Sequence, residues 1–158
     1  MADSMPTLET TPLIRAGDSF QTQVRYTREQ IMQFARLTGD ANPLHHDRQA
    51  AERASFGEII ASGQQTASQM MGVVATHFSR RGDGVPREML CLNFNFAFRS
   101  PIFAEQDIVI AWLVSEVERN SKRGGYIGHL DGTASVGGRA CVVGRGTILV
   151  TRSAVRAS

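Results

Sequence analysis

A carboxylate and an imidazole stand five residues apart, at Asp40 and His45, on a stretch that cannot continue the helix before it. Pro43 lacks a backbone donor and pushes Asn42 towards extended geometry. Two side chains so spaced on a stiffened, extended turn can converge on one water molecule, one accepting a proton while the other supplies or orients one. An imidazole suits that task because its unperturbed pKa is about 6.5. Asn42 can hydrogen-bond one member of the pair and fix its direction. The same Gly-Asp-Ala-Asn-Pro string also reads as a plain turn, with Asp and Asn bonded to their own backbone and His45 an ordinary surface histidine. Local chemistry leaves both readings open.

The other histidines have weaker claims. His46 points away from His45 if the loop is extended. His77 falls on the polar side of its helix, and His129 on the less apolar side of its strand. Cys91 and Cys141 lie in strand-like segments, where cysteine behaves as a small apolar residue. Neither has a CxxC neighbour or a histidine at metal-ligand spacing, so no metal site is expected. Arg99, beside Pro101 at a strand end, either meets a phosphate or is simply solvated. No nucleotide loop or flavin motif is visible, so no cofactor is expected and water should be the only co-reactant.

The elements that must position these residues can be read from periodicity and punctuation. Phe20, Thr22, Val24 and Tyr26 alternate with polar residues and predict a half-buried strand. Thr27 and Gln30 have the spacing of a capping box, predicting a helix from Arg28 to about Thr38 that buries Ile31, Phe34 and Ala35 and ends at Gly39. Asp47 is placed to cap a short helix through Ala54. After a glycine-containing loop, Phe56–Gly63, the positions Ala67, Met70, Met71, Val74, Ala75 and Phe78 form one apolar helical face. The period then changes to two. Leu90, Leu92, Phe94, Phe96 and Phe98 mark a long strand, Asp107–Val117 a central one, and Gly124-Gly125 and Gly137-Gly138 separate two more as tight hairpins. The order predicts an α+β sandwich in which a curled antiparallel sheet wraps one long helix. Residues 1–16 read as an irregular lead-in, 17–152 as one domain, and 153–158 as a tail.

Composition agrees with one enzyme-sized globular domain. The chain has 158 residues, 42% of them apolar and 20% charged, with a net charge of +2. That charge is small and scattered, with pairs only at Arg80-Arg81 and Lys122-Arg123, so no nucleic-acid partner is expected. The start, MADSMPTLETTP, lacks a basic region and an apolar core and does not read as a secretory signal. No apolar run approaches the roughly 20 residues that span a bilayer. A soluble, cytoplasmic protein with no membrane partner is expected.

The string Gly39-Asp40-x-Asn42-Pro43-Leu44-His45 resembles the signature of the MaoC-like, or hydratase 2, family of (R)-specific enoyl-CoA hydratases and dehydratases. Phe56-Gly57-x-Ile59-Ile60-Ala61-Ser62-Gly63 followed by a helix resembles that family's second landmark, and the likeness runs from about Gly17 to Thr151. The resemblance implies a hotdog fold, a hydro-lyase activity and an acyl thioester of coenzyme A or acyl carrier protein as substrate. It implies that Asp40 and His45 activate the water and that Gly63 donates its backbone N–H to the thioester oxygen, as a helix N-terminus is suited to do. Relatives often carry histidine where this chain has Ser62, and a helical serine where it has Met71. Pro43, Ser62, Gln64, Met71 and Arg99 are placed with the substrate, Met71 as core or tunnel wall and Arg99 towards a coenzyme A phosphate. Hotdog relatives pair their sheets, so a homodimer or higher homo-oligomer is expected. Two other activities remain in view: a hotdog acyl-CoA thioesterase and a non-catalytic acyl-binding subunit. The Asp–x–Asn–Pro–x–His string disfavours both.

Overall fold

The computed structural model describes residues 12–79 and 82–153. The lead-in over 1–11, the Arg80-Arg81 pair and the tail after 153 lie outside the described residues. Five strands, β1 (Ser19–Arg25), β2 (Arg87–Phe98), β3 (Asp107–Asn120), β4 (Gly125–Val136) and β5 (Arg139–Arg152), form one antiparallel sheet in the order β1-β3-β4-β5-β2. Three helices precede β2: α1 (Arg28–Thr38), α2 (Arg48–Arg53) and α3 (Gly63–Ser79). Among the described residues no helix is long and apolar enough to cross a membrane.

α1 has the predicted bounds for the predicted reason. Thr27 accepts the Gln30 N–H, and the Gln30 side chain accepts the Thr27 N–H. Gly39 ends the helix in the left-handed region at φ 72°, a conformation that costs glycine little. Ile31 and Ala35 are buried, while Phe34 is half-buried. Asp47 caps α2 through the Ala50 N–H as expected.

α3 lies in the trough of the sheet and touches β2, β3, β4 and β5. Its buried seam is Thr66, Met70, Val74 and Phe78, joined at the first turn by Gln65. The predicted face was shifted towards Ala67, Met71 and Ala75, which are only half-buried. A sequence wheel ranks residues by polarity, whereas the trough admits whichever side faces the sheet. Met70, Val74 and Phe78 pack with Ile110, Trp112, Leu130, Ile148 and Val150 in one core. Burying such a set is the main driving force for this fold, at about 1.5–3 kcal/mol for each large side chain.

The sheet departs from simple alternation in three places, with register shifts at Cys91/Asn93 in β2, Val114/Glu116 in β3 and Ala134/Ser135 in β4. In β2 the register shifts between Cys91 and Asn93, so Leu92 drops out of the pairing and Leu90, Cys91 and Leu92 are exposed. The hairpin at Gly137-Gly138 has positive φ at both glycines, but at Gly124-Gly125 only Gly124 does, because Gly125 already opens β4. Leu13 and Ile14, in the stretch read as a lead-in, are core residues at 3% exposure each. His77 is not a polar-face residue either: its ring stacks on Phe20 with centroids 3.8 Å apart.

Candidate active site

The Gly39 turn sets the position of Asp40. The Asp40 N–H bonds the Ala35 carbonyl at 2.8 Å, tying it to the end of α1. Asn42 then donates its backbone N–H to Asp40 Oδ1 at 3.0 Å, and Gln64 in the first turn of α3 donates Nε2 to Asp40 Oδ2 at 3.1 Å. Those contacts hold the Asp40 carboxyl below its ordinary pKa. The Asn42 N–H contributes most, partial burial opposes it, and the neighbouring His45 ring and the Gln64 amide assist. The side chain is therefore an anion throughout the neutral range.

Pro43, Leu44 and His45 form a single 3-10 turn. The Asn42 side chain caps it by accepting the Leu44 N–H at 3.2 Å. Asn42 thus orients Asp40 through its backbone, while its side chain serves the turn. The turn drives the His45 ring inward to 7% exposure. His45 Nδ1 lies 2.7 Å from the Ile60 carbonyl. A carbonyl only accepts, so Nδ1 carries hydrogen and Nε2 is left with its lone pair in the neutral ring. Nε2 faces Asp40 Oδ2 at 3.6 Å, a separation longer than a direct hydrogen bond. The Ile60 N–H returns to the Leu44 carbonyl at 3.2 Å, so the histidine turn and the segment before α3 clasp each other.

That second segment is itself anchored. Ala61 donates to the Ile102 carbonyl and Ala104 to the Ile59 carbonyl, while Glu58 pairs with Arg28 at the start of α1. Ser62 caps α3 by accepting the Gln65 N–H on its Oγ at 3.2 Å. Gly63 is the first helical residue, and no hydrogen bond among the described residues uses its N–H. An added Cβ at Gly63 would sit 2.8 Å from Phe98 Cε1. Glycine is needed there so that the Phe98 ring can lie on the helix start.

Ser62, Gly63 and Thr66 line a cleft of about 290 Å³ with Phe56, Phe98, Arg99 and Val142. Arg99 is exposed at this cleft. The structure therefore brings together Asp40, His45, Gln64 and the Asn42 backbone, and separately Ser62, Gly63 and Arg99. Asp40 and His45 are not among the residues lining the cleft; the two groups meet at the Gly63–Gln64 step. Met71 lies apart from both, half-buried and about 12 Å along the helix axis from Gly63. Pro43 is exposed at the head of its turn. Two participants were missed by sequence reasoning. The Ile60 carbonyl had no local signal. Thr66 had one, since it follows Gly63 by three residues and so shares its side of the helix.

Chemically, an ionised carboxylate and an imidazole lone pair face one gap, next to a helix start with a free N–H. Such a set can take a proton from water, return it, and stabilise a developing oxyanion. Among the described residues no three His, Cys, Asp or Glu side chains gather where a metal ion could be held.

Comparison with known proteins identifies the family and the fold. A family model described as a MaoC like domain matches residues 11–130. A 3-hydroxybutyryl-CoA dehydratase of Methylorubrum extorquens is 34% identical over 89 residues, 56% of this chain and 55% of its own length. A mitochondrial 3-hydroxyacyl-(acyl-carrier-protein) dehydratase of Arabidopsis thaliana is 24% identical over 115 residues, 73% of this chain and 63% of its own. The chain thus spans less than two-thirds of either relative. Among solved structures, the (R)-hydratase from A. caviae involved in PHA biosynthesis superposes with a TM-score of 0.73 at 23% identity, covering 85% of this chain and 96% of that one. The α+β architecture is the hotdog fold.

Proposed function

The chain belongs to the MaoC-like domain family, and from that premise we propose that it is an (R)-specific enoyl-CoA hydratase or 3-hydroxyacyl thioester dehydratase. The carrying observation is the 3.6 Å gap between Asp40 Oδ2 and His45 Nε2, with Nδ1 of the same ring committed to Ile60. A water in that gap would meet two acceptors.

In hydration the pair takes one proton from this water as its oxygen attacks the β-carbon of a trans-2-enoyl thioester. The double-bond electrons move to the α-carbon and the thioester oxygen, where the Gly63 N–H meets the charge. The pair then returns the proton to the α-carbon, so the sum is one water added across the double bond. Dehydration runs the same steps backwards, with the protonated pair assisting departure of the β-hydroxyl. A lone oxyanion donor of this kind is typically worth about 10²–10³ in rate. The Ser62 cap fixes where that donor points, and Gln64 fixes Asp40.

The carrier is a coenzyme A or acyl carrier protein thioester, with Arg99 at the cleft available to a phosphate. The β2 edge supports a homodimer. It has no neighbour in the sheet and exposes Leu90, Leu92 and Phe98, whereas the β1 edge exposes Gln21, Gln23 and Arg25. Unguarded apolar edges are rare unless paired. Phe98 also lines the cleft, so a partner on β2 would sit beside the site. Hydration of crotonyl-CoA, followed by loss of the enoyl absorbance, tests the reading.

A further inference from the structure

Behind the cleft the fold is closed by aromatic rings. Three cross-strand rows run inward from the Gly63 end: Phe98 opposite Val142, Phe96 opposite Gly144, and Phe94 opposite Gly146. The first row, with Thr66 from α3, lines the cleft. The next two are filled to contact. A Cβ on Gly144 would come within 2.8 Å of the Phe96 ring and 3.2 Å of Trp112, and one on Gly146 would run into Phe94. Phe94 meets Trp112 edge-on with centroids 5.8 Å apart, and lies 6.1 Å from the Phe96 ring. Trp112 is fixed from the helix side, where its indole N–H bonds the Met70 carbonyl at 3.1 Å. The rings occupy the space that the glycines leave, against backbone that cannot retreat.

Resting on the hydratase reading above, we propose that this aromatic stop, Phe96 and Trp112 foremost, restricts the site to short acyl chains. Of the three rows only the first lines the cleft, which measures about 290 Å³. A longer tail has to displace rings packed against α3 and the sheet.

An open apolar tunnel behaves differently. Each buried methylene would tighten binding about fourfold, so an octanoyl chain would bind roughly 250-fold tighter than a butyryl one. The test is equilibrium binding of butyryl-CoA and octanoyl-CoA to the whole chain, beside turnover of crotonyl-CoA and trans-2-octenoyl-CoA. The stop requires octanoyl-CoA to bind no tighter than butyryl-CoA, and kcat/KM to favour the shorter enoyl ester by about tenfold or more. Phe96→Ala should move both ratios towards the longer chain by about tenfold; if it does not fold, Phe96→Leu serves for the same comparison. Octanoyl-CoA bound tens of times more tightly by the whole chain overturns the stop and leaves the hydratase reading intact. Preference for butyryl-CoA in binding without turnover of either enoyl ester retains the stop and overturns the hydratase reading. Binding of neither ester overturns both.

Discussion

Gln64 donates Nε2 to Asp40 Oδ2 at 3.1 Å, joining the turn after α1 to the first turn of α3. The neighbouring residue, Gly63, lines the cleft. This bond is the direct side-chain link between the two halves of the proposed site. Gln64→Ala should lower kcat for enoyl-CoA hydration by about tenfold, the scale of losing one hydrogen bond to a charged group. KM should change little, since the Gln64 amide is spent on Asp40. Gln64→Glu should be worse than alanine, because it sets a second carboxylate against the first. Steady-state kinetics on the three proteins check this.

The depressed pKa of Asp40 has a direction in pH. A group whose pKa is lower folded than unfolded contributes stability above its unfolded value, about 3.9 for aspartate. That contribution is lost as pH falls through the folded value. Asp40→Asn should therefore differ from the parent chain in Tm by a constant amount at neutral pH. The difference should begin to shrink below pH of about 4. Thermal melts across an acid series, read as the difference between the two chains, measure it.

Gly63 and Phe98 compete for one volume, with a Cβ placed 2.8 Å from the ring. Gly63→Ala should cost about 1–2 kcal/mol of stability from overpacking and should cut hydration sharply by shifting the start of α3. Adding Phe98→Ala should recover most of the stability. Recovery of activity would be smaller, because Phe98 also lines the cleft. Denaturant unfolding of the two single variants and the double variant separates these effects.

Much of this site was legible in the sequence because its determinants are local. The reciprocal Thr27–Gln30 cap, the left-handed Gly39 and the rigid Pro43 each act within a few residues, and together they deliver Asp40 and His45 to one place. The period of two in β2 to β5 and the single long helix were enough for the α+β sandwich. What escaped was long-range. The Ile60 carbonyl that orients His45 lies 15 residues away and has no side-chain signature. The burial of Leu13 and Ile14 depends on a distant site, with Ile14 packed over Gly128. The bulge at Leu92 comes from pairing with β5, which alternation along one strand does not encode. Met71 was placed with the substrate on a family landmark, and in the structure it lies along α3 away from the cleft.

The exposed β2 edge should control assembly. Leu92→Lys places a charge where the sheet has dropped out of register, on an edge that also exposes Leu90 at 54% and Phe98 at 57%. The parent chain should run at twice its monomer mass or more in light scattering, and the variant should shift towards the monomer. A parent chain that is monomeric at high concentration would remove the edge-pairing proposal.

The most direct measurement of the central claim is kcat/KM for crotonyl-CoA hydration by the parent chain, Asp40→Asn, His45→Ala and the double variant. The structure leads to losses of about 10²–10⁴ in each single variant, the usual range for a positioned acid or base. The double variant should lose little more than the worse single one, since the two groups act on one water. An active parent chain whose two single variants both retain its rate would contradict the claim that Asp40 and His45 carry the chemistry.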